Sequence, residues 1–431
     1  MAEEQASRTE FTPKAIATVV ACTIGMMVSV VPFHIGTFPL FLQPVSKEFG
    51  WGRAEFAASL SMSAMLAALA APFVGRAVDR LGARRLLIPA IVIYGLATMA
   101  QSQLGHSKPQ FYATYAVLGF SEAVAGPVAF AHLISSWFFA RRGLLLSLVI
   151  GAAPAVSIAI MAPATHLLID QFGWRTAYMV LGGIILALGF PAMAFLLHEP
   201  PREGPQTSAG RAAAIAALPG RSFGQVLVSL TYWMILGALV IHSLVVGGVR
   251  AHTVALLSDR GFATGVGALA LSLSALAGLL GNVAAGVLLD RVQTPKIALP
   301  FFIAALLGLL LLHHASGAGM ALTGAAVLGF GIGAESGIGP YFFSRYFGMR
   351  SFGIVYGCLV SLLAISSGLG PALLGLAFDR TGSYGRGLLI AEIGLGVGAV
   401  LVALLGAYVF AARRAPAQDA VVAAAPLESE A

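Results

Sequence analysis

The stretch Gly75-Arg76-Ala77-Val78-Asp79-Arg80-Leu81-Gly82-Ala83-Arg84-Arg85 is a knot of charge set between two apolar runs, each long enough to cross a bilayer. A loop this short and basic between two spans marks the side of a membrane on which positive charge is retained. A second version of the knot, Gly286-Val287-Leu288-Leu289-Asp290-Arg291, again follows a long apolar run. Asp170-Gln171-Phe172-Gly173 likewise pairs with Asp379-Arg380-Thr381-Gly382, and the two intervals agree to within two residues. Unrelated loops repeating at one spacing indicate a duplicated chain, the architecture of many secondary transporters.

Composition places most of the chain in lipid. Hydrophobic residues make up 58% of the 431 positions and charged residues 10%, whereas a soluble domain carries roughly 25% charged residues. The 51 glycines suit helices that approach closely through small side chains. Cys22 and Cys358 both lie inside apolar runs, which excludes CxxC redox chemistry and thiolate metal sites. The first apolar run continues as a full span and lacks an A-x-A-like end, so no cleavable signal is expected.

A requirement of about 20 largely apolar residues per spanning helix predicts twelve, at 16–43, 54–74, 86–104, 110–138, 143–169, 175–197, 228–257, 264–288, 297–314, 318–345, 351–377 and 385–411. The expected fold is an all-α membrane protein with two pseudo-symmetric six-helix bundles. On this reading 1–15 is a cytoplasmic tail, 16–197 the first bundle, 198–227 a proline-rich cytoplasmic linker, 228–411 the second bundle and 412–431 a cytoplasmic tail. The linker leaves no room for a folded output domain. Numbered from a cytoplasmic N-terminus, most Lys and Arg residues fall on the cytoplasmic side, among them Arg76, Arg80, Arg84, Arg85, Arg141, Arg142, Arg291 and Arg345. The net charge of +7 is therefore topological, and nucleic acid is not an expected partner.

The knot at Gly75 to Arg85 resembles the loop 2-3 signature of the major facilitator superfamily. Further segments are similar to its monocarboxylate-transporter-like and oxalate/formate-antiporter-like branch: Phe41 to Arg53, Trp137 to Gly143, Gly173-Trp174-Arg175, Gly329 to Gly353, Gly370-Pro371 and Asp379 to Tyr384. The resemblance implies two six-helix bundles around a central cavity open to alternating sides. It also implies transport of small organic anions, often with a proton. The chain departs from the branch in two places. The eighth and eleventh spans lack the Arg or Lys that some members use for the substrate carboxylate, and Ala153-Pro154 and Ala162-Pro163 stand where Gly-Pro pairs are common.

Arg250 is the deepest cation, roughly 12 Å inside the outer end of the seventh span at about 1.5 Å per residue. An Arg in hydrocarbon costs at least about 2.5 kcal/mol and faces a cavity or an acid. Two readings follow: a guanidinium fork for a substrate carboxylate, or an ion pair with Glu335 or Glu122. Those two acids are the proton-coupling candidates, since a carboxylate caught between desolvation and a nearby cation can exchange a proton; for Glu335 the competing reading is a structural clamp. His34, His132 and His242 also lie in spans. His252 is a candidate for lining the cavity if Gly247-Gly248 unwinds the helix before it, with Thr37, Tyr341 and Tyr356 as further substrate contacts.

Asp79, Arg80, Arg84 and Arg142 are the expected gate, the acid meeting the positive end of a facing helix as the resemblance implies. No HExxH, no metal-ligand spacing of His and Cys and no GxxxxGK[ST] occurs, so neither metal nor cofactor is expected. The expected protein is not an enzyme. It is a monomeric multi-pass transporter of the cell inner membrane, both termini cytoplasmic, carrying a small carboxylate with a proton as symporter. The alternatives are anion exchange, export of hydrophobic compounds, and a non-transporting sensor.

Overall fold

The computed structural model describes residues 11–138, 141–199, 219–292 and 294–410, and leaves the side chains of Asp79, Arg80 and Arg142 undescribed. Most of the linker and tails thus lie outside the described residues, as do the side chains of those three gate candidates. The described chain is helical almost throughout, in twelve membrane-crossing helices. They are α1 Pro13–Phe49, α2 Arg53–Leu81, α3 Ala83–Ala100, α4 Lys108–Trp137, α5 143–172 and α6 174–196 in the first half. The second half holds α7 Leu230–Ser258, α8 Thr264–Arg291, α9 Leu299–His313, α10 Ala318–Phe347, α11 Phe352–Thr381 and α12 Gly385–Ala403. An even number of crossings puts residues 11 and 410 on one face, the tail face; the opposite face is called distal.

Local chemistry decides where the helices break. In α1 the run around Pro32, Gly36 and Pro39 splits the span into Pro13–Met27, a wider π-turn at Val31–Ile35 and Phe38–Phe49, because proline cannot donate to the preceding turn. Pro127 ends the first half of α4 at Val124 in the same way. A single residue separates α5 from α6: Gly173 takes φ 82 and ψ 163, outside the reach of other side chains. No loop is needed there.

Two expectations are corrected. Gly247-Gly248 does not unwind α7, which is continuous from Leu230 to Ser258. The pair serves packing instead, since a methyl group on Gly247 would strike the Ser367 carbonyl and one on Gly248 the Gly370 carbonyl. The helix expected to run to 411 stops at Ala403. Beyond it, residues 404–410 fold against α10: the Arg345 carbonyl accepts from the Val409 and Phe410 N–H groups, and the Tyr346 hydroxyl donates to the Gly406 carbonyl.

The halves meet along α2 with α11 and α5 with α8. Hydrogen bonds between the halves lie toward the distal face. Ser61 Oγ donates to the Gly368 carbonyl at 2.5 Å and Ser272 Oγ to the Ala159 carbonyl at 2.9 Å. The remainder gather on Arg53 and its neighbours. The distal side of the interface is clasped by these bonds beside a cleft of about 660 Å³ lined by both halves.

Candidate functional site

Arg250 reaches the interface from α7 and lines two cavities between the halves, of about 280 Å³ and about 340 Å³. The first is walled by α1, α2, α4, α7 and α11, with Glu122, Ser63, Ser361 and Ser367 as its other polar side chains. The second is walled by α1, α4, α5, α7, α8 and α10, with Ser274 and Asn282. Arg250 and Glu122 are the charged side chains among the described residues lining them. Ser63 is buried on the α2 wall, and its hydroxyl has no hydrogen-bond partner among the described residues.

Neither candidate acid forms an ion pair with Arg250 within 4.0 Å among the described residues, although both are close enough for their charges to act on it. Glu335 instead meets His242 of α7, with Nδ1 3.2 Å from Oε2. His242 is buried against the Phe302 ring. The Glu335 carboxylate stands at a break in α10, whose two segments run Ala318–Gly333 and Glu335–Phe347 around Ala334. Arg250 thus has two acids in electrostatic reach and lies within ion-pairing distance of neither.

The other expected contacts lie elsewhere. His252 is two positions from Arg250 and points away from it on a regular helix. It is fully buried, with Nε2 2.9 Å from the Pro371 carbonyl and Nδ1 2.8 Å from the Tyr384 hydroxyl. The carbonyl can only accept, so Nε2 carries a proton; Tyr384 donates its own to Nδ1, and the ring is satisfied as neutral. Thr37 is buried and donates to the Phe33 carbonyl. Tyr341 faces the ring of Tyr408 and the Arg345 guanidinium, and Tyr356 stacks on Phe352 at 5.4 Å. None of these four lines either Arg250 cavity. Arg84 holds the end of α6, its backbone N–H donating to Glu199 and its guanidinium to the Ala194 carbonyl.

Sequence reasoning missed the distal clasp. Arg53, at the start of α2, grips Asp259 at the end of α7 through two hydrogen bonds, of 2.5 and 2.8 Å. It also donates to the Tyr384 hydroxyl at 2.7 Å and lies 3.7 Å over the Phe378 ring. Burial raises the Tyr384 hydroxyl above the ordinary phenol range, so it stays protonated. Asp379 accepts from the backbone N–H groups of Arg53 and Ala54. The signal was present in the repeat Asp379-Arg380-Thr381-Gly382, read as a mark of duplication rather than as a lock.

A clasped distal interface, a cation lining the cavities between two bundles and twelve spans are joined by a match to the Major Facilitator Superfamily over residues 16–371. The chain belongs to the Major Facilitator Superfamily. It is a multi-pass membrane transporter and not an enzyme. Its relatives in this superfamily differ in what their names describe. Multidrug resistance protein MdtL of Klebsiella pneumoniae (strain 342) is 24% identical, over 78% of this chain and 85% of its own. Monocarboxylate transporter 11 of Homo sapiens is 28% identical, over 78% and 72%. A solved bacterial homolog of the human lysosomal transporter Spinster superposes with a TM-score of 0.70 at 15% identity, covering 91% of this chain and 97% of that one, and so shares its fold.

Proposed function

We propose that this superfamily member carries a small monocarboxylate across the cell inner membrane by alternating access, as a proton symporter with both tails in the cytoplasm. The observation that supports the reading most is Arg250, a cation lining both cavities between the halves and paired with neither nearby acid. Its planar fork matches a carboxylate with two parallel hydrogen bonds, and the unpartnered Ser63 hydroxyl lines the same cavity. The apolar remainder of the walls fits the short hydrocarbon part of such an anion. Glu335 with His242, and secondarily Glu122, are the proton carriers in this scheme. Asp79, Arg80 and Arg142 are the tail-side gate that closes when the distal clasp opens. The match to monocarboxylate transporter 11 favours this cargo.

A second reading, export of hydrophobic cations, draws on Glu122 in a largely apolar cavity and on the match to MdtL. Uptake of labelled carboxylates into proteoliposomes, with and without an imposed pH gradient, separates the two. Carboxylate accumulation driven by the gradient is expected. Absence of carboxylate movement together with gradient-driven movement of a lipophilic cation would replace the proposal with the export reading.

A further inference from the structure

We propose that His313, His314 and Glu392 form a binding site for a divalent transition-metal ion on the distal face, with a donor set suited to zinc. The site lies within the second half, away from the Arg250 cavities, and departs from the expectation of no metal.

Its geometry follows from where α9 ends. His313 is the last residue of the helix, and the next residue, His314, leaves it with φ −105 and ψ 16 while its N–H still bonds the Leu310 carbonyl. Consecutive side chains on a continuing helix would diverge by about 100°. Here the two imidazoles stack instead, with centroids 4.6 Å apart and planes 20° from parallel. Glu392 projects from the neighbouring α12, and its Oε1 is 2.6 Å from His313 Nδ1. One donor atom from each of the three residues lies within 4.8 Å of the other two.

The environment asks for a cation. Glu392 is 8% exposed on an apolar helix, and a carboxylate in that setting requires a partner of opposite charge or a full set of hydrogen bonds. The His313 contact satisfies one oxygen. It does not account for His314, whose ring is held parallel to its neighbour and exposed to solvent. A zinc ion bound at about 2.0–2.2 Å by imidazole nitrogen and carboxylate oxygen accounts for all three. Tetrahedral ligands then sit about 3.4 Å apart, so the His313–Glu392 pair, at 2.6 Å, opens by about 0.8 Å and no pair closes by more than about 1.4 Å, the exposed His314 ring turning out of the stack to aim its nitrogen at the ion. Two nitrogens and one oxygen favour zinc over calcium or magnesium, which take oxygen ligands. Solvent access at His314 gives the entry path, and three protein ligands leave the fourth position to water.

Arg260 is the nearby competing charge. Its guanidinium donates to the Leu312 carbonyl, one residue before His313, which keeps that oxygen from becoming a ligand and places a positive charge beside the ion.

The test is direct metal binding. Full-length protein purified in detergent without a polyhistidine tag and stripped with chelator is titrated with zinc chloride, and separately with cobalt chloride followed by visible absorption. One ion per chain is expected, with a tetrahedral cobalt spectrum. His314→Ala and Glu392→Gln should each weaken binding by about 10-fold or more, whereas His132→Ala, an exposed histidine of the other half, should not. His314 is exposed, so its removal leaves the packing intact, and melting of the metal-free proteins verifies this. Wild-type protein that binds no ion, or His314→Ala that binds as tightly as wild type, overturns the site; if Glu392→Gln fails to fold, His314→Ala decides alone.

Discussion

Asp379, at the end of α11, caps the helix that begins at Arg53: its carboxylate oxygens accept the backbone N–H groups of Arg53 at 3.0 Å and Ala54 at 2.9 Å. The first N–H groups of a helix have no partner within it and carry the positive end of the helix dipole. An anion supplied from the opposite bundle therefore holds the distal face shut with backbone, side chain and dipole acting together. The same device was expected at the tail side, where Asp79 ends α2.

Asp379→Ala removes the cap and leaves the Arg53 and Ala54 N–H groups of α2 without their partner. A charged cap contributes about 0.5–2 kcal/mol, so the closed-to-open ratio at the distal face should fall roughly 2- to 30-fold. Spin labels at the exposed positions Lys47 and Ala263, one in each half, read this as a longer distance population. An unchanged distribution would remove Asp379 from the closure.

Gly375→Val tests the same interface through shape alone. A Cβ at Gly375 would sit 2.7 Å from the Ala54 nitrogen, against backbone that cannot give way locally. Overpacking costs about 1–3 kcal/mol, enough to shift a two-state equilibrium about 5- to 150-fold. Transport should slow while substrate binding from the distal side persists. Normal turnover would show that α2 and α11 need not approach so closely.

Arg250→Ala should reduce carboxylate affinity by at least about 30-fold, the lower end of the loss on truncating one partner of a buried charge pair. Arg250→Lys keeps the charge but not the bidentate fork and should fall between the two. Binding measured by calorimetry on folded protein checks the order. Equal affinity in all three would leave the carboxylate without its cation.

Glu335→Gln fixes the neutral form of the acid beside His242. Exchange of substrate across the membrane should continue, because exchange needs no net proton release, and accumulation driven by a pH gradient should be lost. Both activities are measured on one preparation. Parallel loss of exchange, accumulation and thermal stability would mean that the pair only fastens α10 to α7, and retained accumulation would pass the proton role to Glu122.

The spans and their doubling were legible because both rest on periodic, local signals: apolar length, glycine-bounded turns, and the Asp-Arg pairs of the loops. Arg250 was legible for the same reason, since a cation deep in an apolar run is costly wherever the helix packs. Partners were not. Glu335 meets His242 across helices that are distant in sequence, a contact that no spacing encodes, and the unpartnered Ser63 is an ordinary serine until the α2 wall is in place. His252 was misplaced by an assumption about backbone, because Gly247-Gly248 can equally mean unwinding or close approach to α11. The interface is what selects approach. Arg53 and Asp259 read as surface charges beside two loops, and only the meeting of the halves makes them a clasp.

The one-residue turn at Gly173 bears on how the protein enters its membrane. From 143 to 196 the charged residues are Asp170 and Arg175, both beside that turn, and Arg175 ends up paired with Glu48 of α1 at 2.6 Å. There is no loop long enough for one arm to settle while the other waits outside the bilayer. The two arms are expected to enter the lipid as a single hairpin with a doubly charged tip, and in the finished fold that tip docks on α1. A single glycine, by setting the turn, ties the insertion of two spans together.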